Sequence, residues 1–215
     1  MAKDHPILFS GPMVRANLDG RKTITRRILK PQPQPDMALI GVYAPRLTAV
    51  FGYTTPNADC KIALRYMPGD RLWVREAWAP LSALTHNDPG AQALADRGFY
   101  RADNGTVDGE ISRWRPSIHM PRWASRLTLI VTGVKIQRLQ DISEEDAIAE
   151  GVERDSDGWR DYLMPHTQCC TNATDSFHTL WDHINGPGAW AANPWVVAYS
   201  YRAISKNIDL IAEAA

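Results

Sequence analysis

The spacing of apolar positions changes period several times along the chain, and each change marks an element. Met13, Val14, Ala16 and Leu18 follow Pro12, which suits a first helical turn, and precede Gly20, which suits a stop, so a helix is predicted over 12–20. Residues Thr23 to Leu29 are rich in β-branched side chains, alternate in part and end at Pro31, Pro33 and Pro35, the pattern of a strand. After the turn formers Pro68-Gly69-Asp70, the run Arg71 to Trp78 alternates. Leu72, Val74 and Glu76 fall on one face, and Trp73, Arg75 and Ala77 on the other. Arg126 to Leu139 reads as a long β-branched strand with Gly133 at a bulge position. Ser143 then announces a helix, with Asp146 three residues on, acids in the first turn and Gly151 as its stop. A second helix is predicted over Asp175 to Ile184, with Phe177, Leu180, Trp181 and Ile184 at core spacing, and a final strand over Pro194 to Ile204.

Three stretches interrupt this series and read as insertions: 31–66, with turn formers and at most short strands; 79–113, with a short helix at 90–97 and a hairpin; and the polar 153–174. No repeat appears. Separated strands with a few short helices predict one mixed α/β (α+β) domain over 1–205, built on a curled sheet or barrel flanked by short helices, with a tail at 206–215.

Composition fits that picture. The 215 residues match the usual size of one domain, and 44% hydrophobic content with 8 Trp supplies a core. No apolar run approaches the roughly 20 residues needed to span a bilayer, and the start lacks a signal-peptide pattern, so a soluble cytoplasmic protein with no membrane partner is expected. Cys60, Cys169 and Cys170 form no disulfide framework. The formal net charge of zero argues against a broad electrostatic grip on long nucleic acid, but the average hides blocks. Residues 10–30 carry +5, 111–139 carry +6 and 140–161 carry −7. Arginine makes up 18 of the 24 cations, the side chain suited to planar recognition of phosphates and bases.

Several segments together resemble the ASCH domain of the PUA-like superfamily: Pro6 to Ser10, Gly20 to Arg27, Gly69 to Glu76 and Asn193 to Val196. More narrowly, Trp114 to Arg126 is similar to a segment of the longer ASCH proteins of prophages and bacterial genomes. The resemblance covers most of the chain outside the insertions. It implies a β-barrel-like sheet with a cleft facing nucleobases or RNA. Some small bacterial members are amidohydrolases that remove the acyl group from N4-acetylated cytidine with a lysine, a threonine and a glutamate. By resemblance these match Lys22, Thr25 and Glu150. The chain is about twice as long as those enzymes, which leaves its substrate more open than its chemistry.

Amide hydrolysis needs a nucleophile, a base and donors for the developing oxyanion. Thr25 supplies a hydroxyl. Lys22 serves as base only if burial or neighbouring positive charge lowers its proton affinity, and Arg21, Arg26 and Arg27 push that way. Glu150 pushes the other way, orienting the lysine and holding its charge. The plainer reading is that Lys22 and Thr25 are solvated strand-edge residues and Glu150 a surface acid at a helix end. Substrate contacts are assigned to Arg21, Arg26, Arg75, Glu76, Trp78, His119 and Trp123, with the carboxylate accepting from a base's amine and the aromatic rings stacking on it. The plainer alternatives are a salt bridge for Glu76 and core packing for Trp114 and Trp123. His166, Cys169, Cys170, His178 and His183 match no standard zinc spacing, and the chemistry calls for no metal and no cofactor. The expected partner is a small nucleoside. The rival reading is an RNA-binding PUA-like module, a reader or weak ribonuclease without amidohydrolase activity.

Overall fold

A computed structural model describes residues 2–44, 46–53, 59–83, 98–103, 111–165 and 168–211. In chain order the strands and helices are β1 (Asp4–Leu8), α1 (Gly11–Leu18), β2 (Ile24–Ile28), β3 (Ala38–Tyr43), β4 (Thr48–Gly52), β5 (Cys60–Ala63), β6 (Arg71–Arg75), β7 (Trp78–Ala79), β8 (Phe99–Tyr100), β9 (Thr128–Arg138), α2 (Glu144–Ala149), β10 (Arg154–Asp155), β11 (Gly158–Arg160), β12 (Cys169–Cys170), α3 (Ala173–Asn185) and β13 (Trp195–Ile204). The protein is thus mixed α/β, mostly strands. The chain divides into two compact units: 1–20, 69–130 and 202–215 in the first, 21–68 and 131–201 in the second. Strands β9 and β13 contribute residues to both.

In the first unit β1 runs parallel to β6, and β6 is antiparallel to β9. Pro6 is tolerated because β1 is an edge strand and needs donors on one side only. The predicted alternation holds: Leu72 and Val74 are buried, while Trp73 and Arg75 are half-buried. Each fully buried aliphatic of this kind contributes about 1.5–3 kcal/mol. Residues 206–211 are built into this unit. Ile208 is buried, and the buried Asn207 donates through Nδ2 to the carbonyls of Arg122, Trp123 and Ser125 at 2.9, 3.2 and 2.7 Å.

In the second unit β9, β13 and β2 lie side by side, β13 antiparallel to β2. α2 begins where Ser143 Oγ accepts from the Asp146 backbone N–H at 3.2 Å, and Gly151 stops it with φ +87°. The Glu144 carboxylate accepts from the first N–H groups of α3, Ala173 at 2.6 Å and Thr174 at 3.1 Å, so α2 caps α3. Ala147, Phe177, Trp181, Leu139 and Val196 pack together beneath the two helices.

Among the described residues the strands do not close into a barrel. They form open sheets, and both β1 and β2 have a neighbour on one side only. Two of the segments read as insertions carry sheets of their own, β3–β4–β5 and β10–β11–β12. β9 runs through Gly133 as a single strand of 11 residues. The helix predicted at 90–97 lies outside the described residues.

Replacing Asn207 by Ala removes three hydrogen bonds, the one to Ser125 buried, and leaves carbonyl oxygens without that donor. Stability is expected to fall by about 2 kcal/mol, read as a lower urea midpoint with an unchanged slope. An unaltered midpoint refutes the structural role given to residues 206–211.

Candidate functional site

The second unit brings Lys22 and Glu150 together although 128 positions separate them. Thr23 donates its N–H to the Ala149 carbonyl at 2.8 Å and accepts from the Tyr201 N–H at 2.9 Å. The segment entering β2 is therefore fixed between the end of α2 and β13. Glu150 caps the C-terminus of α2, and Lys22, 1% exposed, reaches it twice: Nζ donates to Oε2 at 2.6 Å and to the Glu150 carbonyl at 2.7 Å. An ammonium on a last helical carbonyl also meets the negative end of the helix dipole. Burial is the largest influence on Lys22 and lowers its proton affinity; Glu150 opposes that, while Arg27 and Arg26 add to it. The net direction is below the ordinary lysine value.

Glu150 has a second client. Arg26 Nη1 donates to Oε1 at 3.1 Å, and its Nη2 donates to Asp146 Oδ2 at 2.5 Å. The Arg26 side chain has no exposed surface, and its guanidinium lies over the Phe177 ring at 5.9 Å. Lys135 Nζ stands 3.8 Å from the same Asp146 oxygen. Arg26, a substrate contact by the sequence reading, uses its two Nη groups on carboxylates at α2, because an enclosed guanidinium needs acceptors inside the fold. Arg21 stays exposed and donates to the Gly151 carbonyl at 3.3 Å.

Thr25 is 2% exposed and pairs in register with Tyr199. Strand alternation puts Thr25 and Arg27 on the face of β2 opposite Arg26. Tyr199 meets Tyr66 edge-on at 5.0 Å, and burial pushes the Tyr199 hydroxyl up to about 12. Arg27 feels Tyr66, Glu150 and Tyr201, which partly offset the burial that lowers it. Sequence reasoning did not single out the tyrosines, Lys135 or the clamp made by Asp146. Spacing along one strand or helix carries no sign of the element facing it.

The other assigned residues lie in the first unit. Glu76 is 1% exposed and pairs with Arg126 through two bonds, Nε to Oε1 at 2.9 Å and Nη2 to Oε2 at 3.1 Å. Burial raises the Glu76 carboxyl, and Arg126 pulls it back. Arg126 also reaches Asp103 and lies over the Tyr100 ring at 4.0 Å. Arg75 donates through Nε to the Met120 carbonyl at 3.1 Å and through Nη2 to the Ile118 carbonyl. Trp78, assigned to stacking on a base, is buried against Met120 and Ala124 and offers no open face. Trp123 is 54% exposed, its ring edge-on to Trp78 at 5.6 Å, and His119 is exposed. Trp114 is half-buried against Ala79, Phe99 and Ile111.

An open groove of about 520 Å³ lies on the β3–β4–β5 sheet, beside Tyr43, Arg46 and Lys61, and none of the assigned residues lines it. Among the described residues no three or more metal-ligating side chains come together; His166 lies outside them. No helix among the described residues is long and apolar enough to cross a membrane. Compared with known proteins, the chain matches no family model, no curated protein and no solved structure.

The lowered proton affinity of Lys22 has a measurable consequence. Between its lowered value and the ordinary 10.5, the unfolded chain binds a proton that the folded chain does not, so stability contributed by this group rises with pH across that window. The stability of wild type minus that of Lys22→Met is expected to increase from pH 7 to pH 10 in chemical denaturation. A difference that stays flat or falls contradicts the assignment.

Proposed function

We propose that this protein is a metal-independent amidohydrolase that removes the acyl group from N4-acylated cytidine or a related modified pyrimidine nucleoside. The observation that carries the reading is a lysine with 1% exposure, its Nζ 2.6 Å from the Glu150 carboxylate and its proton affinity lowered, three residues before a threonine in the segment that enters β2. The resemblance to the ASCH domain and its PUA-like fold supplies the substrate class and belongs to the same proposal.

In this mechanism neutral Lys22 takes the proton from the Thr25 hydroxyl as its oxygen attacks the acyl carbon. The tetrahedral intermediate collapses with loss of the N4 amine, protonated by the Lys22 ammonium. Water, deprotonated by the same lysine, then hydrolyses the acyl ester on Thr25 to give a carboxylate and regenerate the hydroxyl. Glu150 holds Nζ in place and stabilises the ammonium between the two proton transfers. Lys22, Thr25 and Glu150 are 1%, 2% and 6% exposed, so substrate enters only when the side chains above them move.

Release of cytidine from N4-acetylcytidine tests the reading. Lys22→Ala and Thr25→Ala are each expected to lose about 10²–10⁴-fold in kcat/KM, and Glu150→Gln to lose activity as well. Full activity in the Lys22→Ala protein sinks the mechanism.

One observation favours the second reading, an RNA-binding module. Trp123 is exposed, with Trp78 behind it and the Arg115 guanidinium over Trp78 at 5.5 Å, inside the +6 segment. If RNA binds there, Trp123→Ala is expected to cost about 1–3 kcal/mol of affinity. RNA affinity falls steeply with salt, whereas hydrolysis of a neutral nucleoside hardly responds. A salt titration of RNA binding beside the hydrolysis assay separates the two.

A further inference from the structure

We infer that Arg26 is a positioning residue: by taking one carboxylate oxygen of Glu150 and anchoring its other arm on Asp146, it fixes that carboxylate for Lys22 and leaves the lysine free to give up its proton. The inference rests on the amidohydrolase reading for its consequence in catalysis, but its physical content stands without that reading.

A buried lysine beside a buried glutamate forms an ammonium–carboxylate pair, and such a pair is a poor base because the carboxylate stabilises the charged form. The second unit alters that balance with one more cation. Glu150 Oε1 accepts from Arg26 at 3.1 Å, so the carboxylate charge facing Lys22 at Oε2 is already shared. Asp146 and Glu150 stand four positions apart, the spacing that places two side chains on one helix face. The Arg26 guanidinium spans both, with Nη2 on Asp146 at 2.5 Å. Phe177 beneath the guanidinium removes water from its other side. The carboxylate can neither rotate wholly toward Lys22 nor turn away from it.

The charges around Lys22 come from several elements. β2 brings Arg26 and Arg27, α2 brings Glu150 and Asp146, and β9 brings Lys135 against Asp146. Tyr66, Tyr201 and Arg65 act on Arg27. Within this set Arg26 and Asp146 have opposite effects on Lys22 although both belong to one hydrogen-bonded clamp. Removing Arg26 frees Glu150 Oε1 and strengthens the hold of that carboxylate on the lysine, whereas removing the Asp146 charge subtracts a nearby anion. A purely structural clamp predicts that both losses damage the fold and neither moves the lysine titration in a set direction.

The test follows Lys22 itself, by NMR of protein labelled with ¹³Cε-lysine, the Lys22 signal being assigned by its loss in Lys22→Met. In Arg26→Gln the Lys22 titration is expected to move upward by about one pH unit or more, and the acid limb of the rate–pH profile to move with it. Asp146→Asn breaks the same clamp, yet Lys22 is expected to titrate at or below its wild-type position. Arg26→Lys keeps a cation there and is expected to stay closer to wild type than Arg26→Gln. If Arg26→Gln fails to fold, the Asp146→Asn and Arg26→Lys titrations decide. An upward move in Asp146→Asn, or an unmoved titration in a folded Arg26→Gln, overturns the inference. If Lys22 moves as stated while wild type releases no cytidine, the inference stands and the amidohydrolase reading falls.

Discussion

The carboxylate of Glu150, shared between Lys22 and Arg26, is the interaction on which the second unit turns. Two cations with 1% and 0% side-chain exposure are brought out of water there, and each must find an anion inside the fold. One oxygen for each, with Asp146 as a second acceptor for Arg26, meets that requirement. Removing one partner of a buried pair costs about 3–5 kcal/mol, because the other is left charged and unpaired. The placement depends in turn on α2 ending at Glu150: Gly151, at φ +87°, adopts the left-handed conformation that stops the helix there and leaves the carboxylate at its C-terminus.

Backbone bonds hold this arrangement in register. The N–H of Thr23 on the Ala149 carbonyl, and the Thr23 carbonyl on the Tyr201 N–H, fix the start of β2 relative to α2 and β13 before any side chain is considered. Position 22 then meets the helix end, position 26 meets the helix face through Asp146, and position 25 turns to the tyrosine-lined side by strand alternation. Lys22 and Glu150 thus sit on a rigid frame, with the Thr25 hydroxyl three residues along the same segment. Such a frame suits proton transfer, which depends on tenths of an ångström.

The first unit solves a similar problem with a different carboxylate. Glu76 is as buried as Lys22, and the Arg126 fork meets both of its oxygens while the Tyr100 ring lies under the guanidinium. Its companions Arg75 and Trp78 are likewise occupied, one by backbone carbonyls and the other by packing. Among the side chains this unit leaves facing water are Trp123, Ile118 and His119. That is why a planar ligand there would meet the exposed tryptophan rather than the buried acid.

The sequence by itself determined several of the elements. The Pro12 start, the alternation over 71–75, the Ser143 cap with its Gly151 stop and the core spacing of Phe177 and Trp181 all reappear in the structure, because these are local preferences of one segment for one backbone shape. The resemblance singled out Lys22 and Glu150 as partners. Only the tertiary structure decided the charge balance: that Arg26 is enclosed and clamps Glu150, that Glu76 is taken by Arg126, that Trp78 is core, and that the sheets stay open. Each of those depends on which groups long-range packing removes from water, and burial is a property of what lies opposite a residue, which no spacing along its own strand or helix records.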